Sequence, residues 1–258
     1  MRLTVLGKSP AWTDAGGACS GYLVEGVEGR AFLLDCGNGV FGKLRARRDY
    51  REVEAVVVSH LHGDHVLDLA PFAYALTVGP DAGSVRPALH APAGAAAFFR
   101  RLAGAWGDEE LIPRAFALSE YEAGDQIELA GVAVRPHPVP HYGPTNAIEL
   151  EARGGGRIVF GADGRSSERL AVAAAGADVL IAEATLAEPE AAPLSERGHM
   201  SAAEAGELAA RAGVGRLVLT HISDELDPGR ALAAAAAAFA GTVEIAAEGS
   251  TYETGDPG

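Results

Sequence analysis

Short apolar runs, each closed by glycine, proline or a polar residue, recur from one end of this chain to the other. Arg2-Leu3-Thr4-Val5-Leu6, Ala55-Val56-Val57-Val58-Ser59 and Arg216-Leu217-Val218-Leu219-Thr220 are examples, and their length and β-branched content predict buried strands. On the same grounds strands are predicted over 2–6, 21–25, 31–35, 55–59, 87–90, 132–135, 146–151, 157–160, 178–182, 216–220 and 243–246. Helices are predicted over 38–48, 66–77, 93–105, 166–175, 201–212 and 229–240, with Ser201-Ala202-Ala203-Glu204 as a capping box opening the fifth. The first half is strand-rich, with a hairpin-like pair around Gly26 to Arg30, and the second half alternates strand and helix. This is more strand than one ordinary sheet accommodates. The order fits an α+β fold in which two mixed sheets pack face to face with helices outside.

Composition changes this picture little. At 258 residues there is room for one large domain or two small ones. The Gly/Pro-rich pieces at 79–87, 136–144 and 153–156 are short and read as loops, so a single domain over 1–258 is expected. Hydrophobic residues make up 48%, ample for a core. No apolar run is long enough to cross a membrane, and Met1 leads straight into a predicted strand without a charged-then-apolar leader. Two cysteines, Cys19 and Cys36, make no disulfide framework, and the expected location is the cytoplasm. Charge matters more: 21 basic against 35 acidic residues, net −14, argues against a broad nucleic-acid-binding surface. It leaves room for a small anionic substrate, because bound metal ions supply local positive charge.

Candidate chemistry is concentrated in His60-Leu61-His62-Gly63-Asp64-His65, which puts three imidazoles and a carboxylate directly after a predicted strand. Imidazole and carboxylate together suit zinc, and also manganese or iron. In an extended loop His60 and His62 point the same way, while Asp64 and His65 can turn toward a second ion. His221 closes the run 216–220 much as His60 closes 55–59. Two strands that each deliver a histidine from their C-terminal ends indicate one shared site at one edge of the fold. In His137-Pro138-Val139-Pro140-His141-Tyr142-Gly143, either histidine fits as a further ligand on spacing alone. Asp163 follows the predicted strand 157–160 and can use both oxygens to bridge two cations; its plain alternative is an Asp-Gly turn. His90 and Cys36 read as structural. The loop 7–21, with Trp12, is either a substrate rim or a mobile connection.

Taken together, these segments resemble the metallo-β-lactamase-fold hydrolases, in the branch of ribonuclease Z and related phosphodiesterases. The matching pieces are the 60–65 motif, His141 with Tyr142-Gly143, Asp163, Glu183-Ala184-Thr185, His199-Met200-Ser201-Ala202 and Leu219-Thr220-His221-Ile222, in family order over most of the chain. The resemblance implies a four-layer αββα sandwich and two divalent metal ions, zinc first, with manganese or iron also suited. It implies that His60, His62 and His141 hold one ion, that Asp64, His65 and His221 hold the other, and that Asp163 bridges them. A hydroxide between the ions would be the nucleophile. His199 would protonate or stabilise the leaving oxygen, Glu183 would orient His199, and Asp64 would serve catalysis as well as binding. Asp35 would brace the metal loop from behind, and His137 would be a neighbour and not a ligand. Ala182 stands where the family often has histidine, and Ala162-Asp163-Gly164 where it usually has Gly-Asp-Thr. The Gly/Pro-rich arm with which ribonuclease Z grips tRNA has no counterpart between His65 and His141.

The expected activity is hydrolysis of a small or short phosphodiester, such as a cyclic nucleotide or nucleotide diester. A ribonuclease Z-like RNA 3′-processing endonuclease is the alternative, followed by a lactone or thioester hydrolase and a non-enzymatic metal-binding carrier. The expected partners are the small substrate and, from the resemblance, a second copy in a homodimer; no membrane and no strong binding of long nucleic acid are expected.

Overall fold

Apolar residues that alternate along the strands sort the chain into layers. The computed structural model describes residues 1–254; residues 255–258 of the expected 1–258 domain lie outside the described residues. The strands are β1 (Arg2–Gly7), β2 (Gly21–Glu25), β3 (Ala31–Leu34), β4 (Val53–Val57), β5 (Ala88–Pro92) and β6 (Ala117–Tyr121), then β7 (Ile127–Leu129), β8 (Val132–Val139), β9 (Thr145–Ala152), β10 (Arg157–Phe160), β11 (Val179–Glu183), β12 (Arg216–Thr220), β13 (Thr242–Ile245) and β14 (Thr251–Glu253). The helices are α1 (Val40–Arg45), α2 (Gly63–Val66), α3 (Leu69–Thr77), α4 (Ala95–Gly104), α5 (Leu111–Ala115), α6 (Glu168–Ala174), α7 (Ala202–Ala212) and α8 (Pro228–Ala238). One seven-stranded sheet runs β14-β1-β2-β3-β4-β5-β6 and the other β13-β12-β11-β10-β9-β8-β7. Both sheets mix parallel and antiparallel pairs.

In β3, Phe32 and Leu34 face the other sheet while Leu33 faces the helices; in β10, Ile158 and Phe160 face inward and Val159 outward. The central core joins the inner faces, with Tyr22 against Phe160 at 5.0 Å between ring centroids. A second core lies between the first sheet and its helices, where Phe41 stacks on Phe72. A third lies under α6, α7 and α8 and is built largely of alanine and leucine. This is the expected αββα sandwich. Ser201 caps α7 in the expected capping box with Glu204.

The differences from expectation are local. The predicted helix 66–77 starts later, as α3 at Leu69, and a separate one-turn helix, α2, precedes it over Gly63–Val66. β8 continues through Pro136 and Pro138 to Val139, although those prolines predicted a loop. β7 pairs only with Val132 to Val134, so beyond that point β8 has a free edge, where a proline breaks no ladder bond. The strands β6, β7 and β14 and the helix α5 were not predicted. No helix among the described residues is long and apolar enough to cross a membrane.

Candidate dinuclear metal site

Strand direction gathers the polar residues. β8, β10, β11 and β12 run the same way, and their C-terminal ends release His141, Asp163, Glu183 and His221 at one end of the second sheet. From the first sheet, β4 ends at Val57 and releases His60 and His62, and Asp64 and His65 then sit on the one-turn helix α2. The two sheets thus deliver two groups of donors. His60, His62, His141 and Asp163 form one and Asp64, His65, Asp163 and His221 the other, with the donor atoms in each within 4.8 Å of one another. Asp163 belongs to both. Its Oδ2 lies 3.4 Å from Nε2 of His65, 3.4 Å from Nε2 of His221 and 3.8 Å from Nε2 of His60.

Supporting hydrogen bonds decide which ring nitrogen His60, His65 and His141 turn toward the site. His141 Nδ1 donates to the Gly198 carbonyl at 2.6 Å, leaving Nε2 facing His62 Nδ1 at 3.1 Å. His65 Nδ1 donates to Asp35 at 2.6 Å. Asp35, fully buried, also accepts from the backbone N–H and hydroxyl of Ser59 at 2.8 and 2.9 Å, which ties β4's exit to His65. Asp35 therefore ties the 60–65 loop down from behind. The Ser59 hydroxyl gives its proton to Asp35 and so accepts from His60 Nδ1 at 3.2 Å. Such outer hydrogen bonds fix ring orientation in metal-binding histidines.

The donors fit divalent cations. Nε2 of His60 and Nε2 of His65 are buried with no hydrogen-bond partner, a costly state unless something accepts their lone pairs. Burial holds His60, His62 and His141 below the usual imidazole range, which favours the neutral, ligating form. Burial also opposes charge on His65 and His221, yet the Asp163 carboxylate outweighs it and raises both. Asp163 in turn is held well below the usual carboxylate range: burial opposes this, but His221 and His65 prevail. The Asp64 carboxyl is lowered too, against burial, by the neighbouring imidazoles of His221 at 3.1 Å and His65 at 3.4 Å. The cluster is thus built to hold positive charge in a buried place. A nitrogen-and-oxygen donor set of this kind suits zinc, and manganese or iron as well.

Five non-glycine residues among those described have positive φ, and three bracket this site: Asp35 at 57°, Ala162 at 51° and His221 at 57°. Such conformations cost roughly 1–3 kcal/mol each and gather where side chains must be aimed. Gly37 shows how tight the support is. A Cβ there would overlap the carbonyl oxygen of Asp64. We expect Gly37→Ala to lower stability by about 1–3 kcal/mol and to reduce bound metal; thermal melting with metal analysis checks this, and unchanged metal content would count against it.

Beside the donors stands a second arrangement. Glu183, fully buried at the end of β11, accepts from His199 Nδ1 at 2.9 Å, Gly164 N–H at 2.6 Å and the Thr185 hydroxyl at 2.6 Å. His199 is half-buried, and although burial opposes it, Glu183 raises its pKa. Its ring lies 4.9 Å from that of His141 and 5.9 Å from that of His221. The exposed ring of Tyr142 packs edge-on to His199 at 5.6 Å.

The fold thus brings His60, His62, Asp64, His65, His141, Asp163 and His221 together, with His199 and Glu183 beside them. His137 is not among them: it pairs with Glu149 at 2.7 Å on β8. His90 sits in β5 against Ser119 at 2.8 Å, and Cys36 is fully buried. The loop 7–21 is braced. Lys8 pairs with Asp14 and donates to the Ile222 carbonyl at 2.8 Å, and Ala18 N–H donates to Glu248 at 2.6 Å. This favours a fixed rim beside His221 over a mobile connection. Sequence reasoning named Thr185 only as part of a matching segment, without a role, and passed over Gly198; what each does depends on partners far along the chain. A surface cavity of about 700 Å³ between Met1, Glu25, Gly131 and Arg153 lies at the other end of the sandwich and contains none of these donors.

Known proteins share this architecture. A ribonuclease Z of Bradyrhizobium diazoefficiens is 30% identical over 290 residues, spanning 92% of this chain and 94% of its own. A protein of Mycobacterium leprae, ML1173, is 30% identical over 270 residues, 100% of this chain and 90% of its own. The crystal structure of the metallo-beta-lactamase fold protein YhfI from Bacillus subtilis superposes with a TM-score of 0.84 at 25% identity, covering 97% of this chain and 98% of that one. Residues 30–222, from the hairpin to just past His221, match the beta-lactamase superfamily domain, and the chain belongs to that superfamily.

Proposed function

We propose that this protein is a metal-dependent hydrolase of phosphodiesters, acting on a small or short substrate such as a cyclic nucleotide or nucleotide diester. The observation that carries the reading is the position of Asp163 Oδ2 between two complete donor groups. On this reading His60, His62 and His141 hold one cation, Asp64, His65 and His221 the other, and Asp163 both. Two bound divalent cations, zinc first, would acidify a water and brace the phosphoryl oxygens. His199, held through Nδ1 by Glu183, presents Nε2 to the leaving oxygen and gives it a proton. That pair is what favours a phosphodiester with a poor leaving group over a lactone or thioester, and an enzyme over a carrier. The same reading includes a homodimer acting in the cytoplasm.

The second reading, RNA 3′-end processing, is favoured by the ribonuclease Z relative. Against it stands the stretch between His65 and His141. It is taken up by α3, β5, α4, α5, β6, β7 and β8, and its longest run outside helix and strand is 78–87. A net charge of −14 also repels a long polyanion, although salt screens that repulsion. A substrate panel after zinc or manganese replenishment tests both readings. Turnover is expected for a bis-nitrophenyl phosphate and for nucleotide diesters, with weak binding and poor cleavage of precursor tRNA. Activity confined to lactones or thioesters would overturn the first reading, and efficient site-specific cleavage of precursor tRNA would promote the second.

A further inference from the structure

We propose that Thr185 is a positioning residue that locks the metal-binding and proton-donating halves of the site together through its one hydroxyl. This rests on the reading of His221 as a ligand and His199 as the proton donor.

The argument is proton counting. Thr185 Oγ1 lies 2.6 Å from Glu183 Oε2 and 2.7 Å from His221 Nδ1. A hydroxyl has one proton to give and lone pairs to receive. Glu183 and the ionised carboxylates around it can only accept, so the proton goes to Glu183, and the oxygen must accept from His221. Nδ1 of His221 therefore carries hydrogen, and Nε2 faces Asp64 Oδ2 at 3.1 Å and Asp163 Oδ2 at 3.4 Å. The direction of one O–H bond thus sets which nitrogen of His221 meets a cation.

The same bond acts on the other half. Glu183 holds His199 Nδ1 with Oε1 and takes the Thr185 proton on Oε2. Losing that donor removes the shortest bond to Oε2 and leaves that oxygen to the Met200 N–H at 3.3 Å, with Gly164 still on Oε1, so the hold on His199 loosens. Backbone geometry keeps Thr185 in place. Ala184 N–H donates to the Thr220 carbonyl at 2.9 Å, and Leu186 bridges to Ser201, so the residue is clamped between β12 and the entry of α7. Outside this pair of bonds nothing requires a hydroxyl there: the residue is half-buried, and a valine of nearly the same shape would fill the space.

Thr185→Val and Thr185→Ser separate the hydroxyl from the shape. In the zinc-loaded wild type, His221 is expected to give a hydrogen-bonded Nδ1–H proton resonance. In Thr185→Val that resonance should vanish or shift. The more weakly held zinc should also compete about 10–100-fold less well with a chromogenic chelator, the scale for losing an outer partner of a ligand. Turnover of a diester with an alkoxide leaving group should fall more than that of a nitrophenyl ester. Thr185→Ser should restore all three. If the valine variant keeps the resonance and both zinc affinities, or if serine restores none of the three losses, the proposal is overturned. The reading beneath it fails differently: wild-type protein would then bind fewer than two zinc ions, or His221→Ala would lose none.

Discussion

Replacing Asp163 with alanine is expected to remove essentially all turnover and to empty or loosen both cation positions, with the protein still folded. Its Oδ2 stands within 3.8 Å of three imidazole nitrogens drawn from both sheets, and no other side chain belongs to both donor groups. Changes to residues that merely orient ligands cost about 10–100-fold. A shared ligand should cost more than about 100-fold in the same currency. The fold should survive because Asp163 lies past the end of β10 and not in the apolar core. The carboxylate's loss leaves His65 to Asp35 and His221 to Asp64 as counter-charges, and a buried imidazole left short of charge can shed its proton. Metal analysis, activity and circular dichroism of Asp163→Ala check this. Wild-type rate with full metal content would remove Asp163 from the bridging position.

His199→Ala should keep both cations yet lose roughly 10²–10⁴-fold in turnover of a substrate with an alkoxide leaving group, the usual scale for a positioned acid. His199 belongs to neither of the two donor groups built on Asp163; its grouping with Glu183 and His221 contains only one of the proposed ligands. Glu183 would remain satisfied in its absence by Gly164, Thr185 and Met200, so no buried charge is left bare. The loss should shrink for a nitrophenolate leaving group, which departs without a proton. Equal losses for both substrates would remove the acid role, and an emptied metal position would make His199 a ligand.

How much of this could be read beforehand depended on how local each signal is. The metal loop is legible because four donors fall within six residues after a run of valines. His221 and Asp163 are legible because each follows an apolar strand that stops abruptly. The strands β6 and β14 are not. β6 lies at a sheet edge with an almost wholly exposed pattern, and β14 is three residues long, so neither shows an apolar face to read. The far half of β8, past the predicted 132–135, hid for the opposite reason: Pro136 and Pro138 signal a break, and only the sheet order reveals that they lie beyond its pairing with β7. Choosing His141 over His137 needed the family pattern, since spacing alone left both open. Thr185 stands in a segment that matches the family, yet nothing local gives it a role. Its importance arises from Glu183 two residues away and His221 on the next strand, and only the folded register of β11 against β12 brings them together.

The division of donors between the two sheets has a consequence for how the protein comes into being. His60, His62, Asp64 and His65 leave the ribosome early, while His141, Asp163 and His221 come from the second half of the chain. On the proposed assignment, the early segment alone offers no more than two ligands to either cation. Zinc met by the growing chain would be held loosely and exchanged readily. The first position closes once His141 and Asp163 have arrived, and the second only when β12 has docked and brought His221 into place. The bound ions would then act as a latch thrown last, joining two halves that were synthesised apart and slowing their separation afterwards.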